Sequence, residues 1–210
     1  MKIGIICAFY DEIIYFVDTY KLDTTKEIQS IKIGDKEVLL GLTGVGKVNA
    51  AMMTQKLIDS GVEVILNCGC SGALKEDLPL YSIVLSKYVM YHDFAPLTIM
   101  EKYVPSKGKM EADPTFLKQA LDLCKGKAIV GGLVSGDCYV ETEEKKRELM
   151  EKGAICVDME SAAIGHVCTK NKIPFLCIRS ISDFANGSEV DEIESSKRAA
   201  MITEALIKKL

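Results

Sequence analysis

The stretch AICVDMESAAIGHVC, running from Ala154 to Cys168, carries the reading of this chain. It opens as a short apolar run whose length suits a buried strand, and MESAAIGHVCTKN continues it as a helix. Two carboxylates, Asp158 and Glu160, stand where the strand gives way to the helix. A chain about to bury a helix has placed acids at its mouth, and the reason lies in the segments around it.

Working outward, KIGIICAF at the N-terminus reads as a buried strand and DEIIYFVDTY as a short helix. IQSIKIGDKEVLLGLTG alternates around a Gly-Asp turn, the pattern of a hairpin. VGKVNAAMMTQKLIDSG has helical spacing, with Val45, Val48, Ala51, Met52 and Leu57 as its expected apolar stripe and Gly61 as its stop. VEVILNCG and YSIVLSKYVMYH are strands. From Asp93 to Glu111 the periodicity is lost among Pro96, Pro105 and Gly108, and a loop is expected. ADPTFLKQALDLCKG begins a helix with Asp113 as N-cap and Pro114 at the first position. KAIVGGLVSGD, AICVD and PFLCIRSISD are strands, TEEKKRELMEKG is a charged surface helix, and DEIESSKRAAMITEALIKKL closes the chain. Strands alternating with helices predict one α/β domain over residues 1–210, with a mixed, mostly parallel sheet covered on both faces.

Composition narrows the function. The 210 residues are 48% apolar and 27% charged, with a net charge of −4 and no basic stripe, which argues against nucleic acid as a partner. The apolar runs are too short and interrupted to span a bilayer. MKIGIICAF runs into Tyr-Asp-Glu with no small-residue cleavage site, so it is read as a first core strand rather than a leader. Of the eight cysteines, Cys7, Cys68, Cys156 and Cys177 sit in apolar strand-like runs as small hydrophobes. The Cys68-Gly-Cys70 pair lacks the second ligand pair of a zinc site, and His92 and His166 form no ligand-spaced cluster. Reduced thiols, a cytoplasmic location and no metal or organic cofactor are expected.

In α/β sheets ligands gather beyond the carboxyl ends of the strands. Asp11 and Glu12 follow the first strand here. TGVGK, CGCSGA and VSGDCYVE follow three others, DME follows AICV, and SDFAN follows PFLCIRSI. Each has an ordinary account on its own: Glu12 favours a helix dipole, Asp183 makes a turn, and the glycines supply left-handed backbone. Neither TGVGK nor SGA matches a Walker loop or a dinucleotide fingerprint. Taken together they place small-residue turns and carboxylates along one edge, and the acids stand at the mouth because the mouth is the site.

MKIGIICAFYDEI, TGVGKVNAA, NCGCSGAL, YHD at 91–93, GLVSGD, VDMESAAIGHVC and IRSISDFA occur in an order that resembles the 5′-methylthioadenosine/S-adenosylhomocysteine nucleosidases of the nucleoside phosphorylase superfamily, over essentially the full length. The resemblance implies that Glu12 orients and deprotonates the attacking water and that Glu160 hydrogen-bonds the ribose hydroxyls. Met159 would pack on the sugar and base, and Asp183 would protonate the five-membered ring of the departing purine. Ser182 would support the base edge and Arg179 steady this segment. Tyr139 would stack on the purine, with the Val140 backbone reading its Watson–Crick edge. It also implies a homodimer in which a partner chain closes the pocket for the 5′ group.

Those residue types suit the chemistry. Cleavage passes through an oxocarbenium-like sugar that nearby anions stabilise, and a general acid on the leaving base contributes on the order of 10²–10⁴ in rate. An ordinary aspartate is a poor donor near neutrality, so Asp183 is expected to be raised by burial or protonated on substrate binding. The superfamily's phosphorylases carry an Arg shortly after the first strand; CAFYDEIIYF has none, and Glu12 there would repel phosphate, which favours water as nucleophile.

Two departures bear on the substrate. Cys70 replaces a serine near the ribose, and the segment 93–111 is short and poor in aromatics, with Phe94, Pro96, Leu97, Ile99 and Met100 as its apolar residues. The aromatic expected after Asp183 is absent, leaving Val190 or Ile193. The 5′ pocket is therefore assigned to Phe9, Val45, Pro96, Leu97, Val190 and Ile193. The alternatives are a nucleosidase for 5′-deoxyadenosine or futalosine, a purine nucleoside phosphorylase, and a non-catalytic nucleoside-binding protein.

Overall fold

The computed structural model describes residues 1–187 and 190–210. Its strands are β1 (Lys2–Cys7), β2 (Ile28–Ile33), β3 (Lys36–Leu42), β4 (Val64–Ala73), β5 (Ile83–Tyr91), β6 (Met110–Glu111), β7 (Ile129–Ser135), β8 (Ala154–Asp158) and β9 (Phe175–Asp183). The helices are α1 (Tyr10–Tyr20), α2 (Lys47–Asp59), α3 (Leu97–Tyr103), α4 (Pro114–Leu123), α5 (Glu143–Glu151), α6 (Ser161–Asn171) and α7 (Glu192–Lys209). None is long and apolar enough to cross a membrane, among the described residues.

All nine strands belong to one mixed sheet, ordered β2-β3-β1-β4-β8-β7-β5-β6. β9 pairs in parallel with β4 and antiparallel with β5, so β4, β8, β7, β5 and β9 close a ring from which β1, β3 and β2 extend. The expectation of a mixed α/β sheet is met, with the ring as a refinement. Ile3, Ile5, Leu66, Val84, Leu133 and Ile178 are fully buried, as strands covered on both faces require. The Asp113 carboxylate accepts from the amides of Thr115 and Phe116, the cap that the sequence predicts.

Two expectations fail. Of the stripe expected on α2, Val45, Val48 and Met52 stay exposed, Ala51 is partly buried, and Leu57 is fully buried. The helix's inward face is Ala50, Met53, Thr54 and Leu57, while Val48 is 78% exposed. Glycines in the sheet set this face: a β-carbon on Gly41 would lie 2.5 Å from the Met53 sulfur, and one on Gly4 would lie 3.3 Å from Leu57. The segment 93–111 is not an open loop. It holds α3, a 3-10 turn at Pro105–Gly108 and β6 paired antiparallel with β5. α3 hid its period because it is two turns long and buries only Met100, leaving Leu97, Ile99 and Tyr103 outward.

Candidate active site

A cavity of about 240 Å³ opens at the carboxyl ends of the strands. Phe9 and Glu12 reach it from beyond β1, Val45 from beyond β3, and Cys70, Ser71 and Gly72 from the end of β4. Cys138, Tyr139 and Val140 come from the exit of β7, Asp158, Met159 and Glu160 from that of β8, and Ser182, Asp183 and Ala185 from that of β9.

Burial and bonding divide the acids into two kinds. Asp158 is the structural one: its Oδ1 accepts from the amides of Glu160 and Ser161 at 3.1 Å, and its Oδ2 lies 2.9 Å from Arg179 Nη2. It thereby satisfies two amides at the start of the helix that the opening stretch begins. Glu160, two residues on, lines the cavity with Oε1 accepting from the Gly46 amide at 2.8 Å. Burial, reinforced by the neighbouring Asp158 charge, pushes the Glu160 carboxyl up to about 8.

Glu12 is held on three sides. Oε2 accepts from the Ala8 amide at 2.5 Å, and Oε1 accepts from the Cys70 amide and from Arg179 Nη1, each at 3.0 Å. Burial raises its pKa, opposed by the Arg179 guanidinium and these amides. Three acceptor positions are taken out of the roughly four that a carboxylate offers, which leaves one for a water. Gly69 makes this approach possible, because a β-carbon there would sit 1.7 Å from Glu12 Oε1.

Asp183 is aimed by an irregularity in β9. The pairing of β4 with β9 runs Ser71 to Ile181 and then Gly72 to Asp183, so Ser182 is an extra residue, as in a bulge that re-aims a side chain. Asp183 Oδ1 accepts from the Ala185 amide at 2.7 Å, and Oδ2 accepts from the Ser182 hydroxyl at 2.8 Å. A β-carbon at residue 72 would crowd Asp183 Oδ1 at 2.9 Å, which accounts for glycine there.

The cavity thus gathers Glu12, Cys70, Tyr139, Val140, Met159, Glu160, Ser182 and Asp183, with Arg179 buried behind Glu12. Of the residues assigned to the 5′ pocket, Phe9 and Val45 line it. Pro96, Leu97, Val190 and Ile193 do not, and the last three are largely exposed. Glu192, at the start of α7, lines the cavity and was not anticipated, because an acid in a first helical turn reads as a dipole partner. Glu12, Asp158, Glu160, Asp183 and Glu192 put five carboxyl groups on the wall, and no Lys, Arg or His lines it among the described residues.

The chain as a whole matches a known class. Residues 2–210 match the family model of the Phosphorylase superfamily. A 5′-methylthioadenosine/S-adenosylhomocysteine nucleosidase of Staphylococcus epidermidis is 32% identical, the alignment covering 97% of this chain and all of that protein. The structure of the S. pneumoniae 5′-methylthioadenosine/S-adenosylhomocysteine nucleosidase with a transition-state inhibitor superposes with a TM-score of 0.85 at 28% identity, covering 99% of each chain. A Helicobacter pylori futalosine hydrolase superposes at 0.87 with 25% identity, over 100% of this chain and 98% of that one. The chain belongs to the 5′-methylthioadenosine/S-adenosylhomocysteine nucleosidase family of that superfamily.

Proposed function

We propose that this chain hydrolyses the N-glycosidic bond of 5′-methylthioadenosine and S-adenosylhomocysteine, releasing adenine and the 5′-thio-ribose. The observation that carries the reading is the single cavity lined by Glu12, Glu160, Asp183 and Tyr139.

Tyr139, 54% exposed, offers a ring on which a purine stacks, with the Val140 backbone and Ser182 at the base edge. Asp183 donates a proton to the five-membered ring as the base leaves. Ionised Glu160 accepts from the ribose hydroxyls, and Met159 packs on the sugar. Glu12, its pKa lifted by burial, orients the water and takes its proton, while Arg179 holds the carboxylate in place. Carboxylates on both sides of the sugar stabilise the developing oxocarbenium charge. Cys70 serves through its amide, which holds Glu12, while its thiol is a weaker partner than a hydroxyl. Phosphate would enter a wall of carboxyl groups that no cation lines among the described residues, so like-charge repulsion favours water as the nucleophile.

We further infer a homodimer. Val48 and Met52 on α2, with Leu97, Ile99 and Tyr103 on α3, are exposed apolar side chains, and Pro96 and Leu97 lie off the chain's own cavity, as residues serving a partner's 5′ pocket would. A cytoplasmic location is supported by Cys7, Cys68, Cys156, Cys168 and Cys177 packing as free buried thiols.

The test is adenine release from 5′-methylthioadenosine with and without phosphate. The reading expects free sugar and no phosphate dependence; formation of 5-methylthioribose 1-phosphate would make the chain a phosphorylase. The Helicobacter pylori neighbour keeps futalosine as a second substrate to assay in competition.

A further inference from the structure

Three segments whose charged residues the resemblance leaves without a role, TGVGK at 43–47, YHD at 91–93 and SGD at 135–137, meet at one side chain. Lys47 Nζ donates to Asp93 Oδ2 at 2.6 Å and stands 3.5 Å from Asp137 Oδ2. The backbone closes the figure: the Lys47 amide donates to Asp137 Oδ1 at 2.8 Å, and the Asp137 amide donates to Asp93 Oδ2 at 2.9 Å. Lys47 and Asp93 are each only about a quarter exposed, at 23% and 26%, so the pair is less screened than a surface ion pair. Burial acts to lower the Lys47 pKa, but Asp93 and Asp137 outweigh it and hold the ammonium charged.

The clamp lies beside the cavity on both flanks. The peptide N-terminal to Lys47 is that of Gly46, whose N–H donates to Glu160 Oε1 at 2.8 Å. Gly46 has φ +101, a conformation open to glycine, and a β-carbon there would meet Asp137 Oδ1 at 3.2 Å. Val45 lines the cavity just before this turn, and Cys138 and Tyr139 line it just after Asp137. The same three charges therefore join two lips of the site.

We propose that Lys47, Asp93 and Asp137 form a clamp that holds the Gly46 amide on Glu160, making Lys47 a positioning residue for the hydrolysis. This rests on the sugar-binding role given to Glu160. Glu160 is also faced by Arg179 from β9, by Asp158 at the end of β8 and by Glu12 from α1, none of which the clamp touches. Loss of the clamp therefore removes one donor and leaves the rest of that charge set in place. An amide N–H favours the ionised carboxylate, so its loss moves the ionisation upward.

The experiment compares Lys47→Met and Lys47→Arg with wild type. It follows kcat/KM for 5′-methylthioadenosine against pH, and the binding of adenine and of a non-hydrolysable nucleoside. Misplacement near the reacting sugar costs up to about 10²-fold. K47M is expected to lose roughly ten- to a hundred-fold in kcat/KM and in nucleoside affinity, with a much smaller change for adenine. Its ascending pH limb should move to higher pH, and K47R should recover most of both. If K47M fails to fold, Asp93→Asn, which keeps an acceptor but removes the charge, should move the limb in the same direction by less. A folded K47M or D93N with wild-type kcat/KM and an unmoved limb overturns the clamp, and so does K47R as impaired as K47M. A wild-type protein that binds the nucleoside but releases no adenine would instead overturn the hydrolase reading. The affinity difference between nucleoside and adenine still tests the clamp in that case.

Discussion

Arg179 Nη1 and Glu12 Oε1 meet at 3.0 Å with each side chain only 1% open to solvent. The same guanidinium reaches Asp158 at 2.9 Å and the Asn67 side-chain oxygen at 2.8 Å, so one cation compensates the anions beneath the cavity. Breaking a buried pair by removing one partner leaves the other desolvated and unpaired, at a cost of about 3–5 kcal/mol. Arg179→Met should lower unfolding stability by about that much in urea titrations, and Arg179→Lys, with charge but without the planar fork, by less. An unchanged midpoint for R179M would mean that the carboxylates carry no charge there.

Gly69 makes the second prediction. Its missing side chain is the space that Glu12 and Arg179 occupy, since a β-carbon would sit 1.7 Å from Glu12 Oε1 and 2.3 Å from Arg179 Nη1. Gly69→Ala must displace one of them. Overpacking of this kind costs about 1–3 kcal/mol, and if Glu12 orients the water as proposed, a shift of it on the order of an ångström costs about 10²-fold in rate. Steady-state kinetics with a thermal melt check both; normal turnover in G69A would detach Glu12 from catalysis.

What the sequence made legible follows from how local its signals were. Strand exits could be read from AICVD and PFLCIRSISD because these buried runs end abruptly at polar turns that line the cavity, whereas VEVILN did not end where expected: β4 continues through CGCSGA to Ala73. The bulge at Ser182 could not be read, because it depends on which residue of β4 stands opposite. The inward face of α2 was misread for a related reason: Gly4 and Gly41, distant in sequence, decide where Met53 and Leu57 fit. Glu192 was hidden by its own plausibility as a first-turn acid. Asp158 and Glu160 were seen together, but their different tasks needed Arg179, which enters from another strand.

In the proposed mechanism Asp183 supplies the proton to the departing base, and its position rests on the Ala185 amide and the Ser182 hydroxyl. Asp183→Asn keeps the shape and can still meet the ring but has no acid proton to give. Turnover should fall by at least about 10²-fold, the lower end of a general acid's contribution, while the affinity for a non-hydrolysable nucleoside changes little. A mutant with near-normal adenine release would remove Asp183 from the role.

Glu160 gives the pH prediction. Burial, with Asp158 beside it, lifts its carboxyl from 4.5 to about 8, against the pull of Arg179 and the Gly46 amide. In the proposed function only the ionised Glu160 accepts from both ribose hydroxyls, so kcat/KM should rise with pH through about 8. Stability runs the other way. Between about 4.5 and about 8 the folded protein holds a proton that the unfolded chain has lost, so unliganded stability falls as pH rises through that window and levels off above it. Glu160→Gln should flatten the activity profile, lowering kcat/KM, and make the stability slope shallower, with the part due to the raised Glu12 remaining. Urea midpoints measured from pH 5 to pH 9 (a span of about that window) on wild type and E160Q decide it, and parallel slopes in the two proteins would place the titrating group elsewhere.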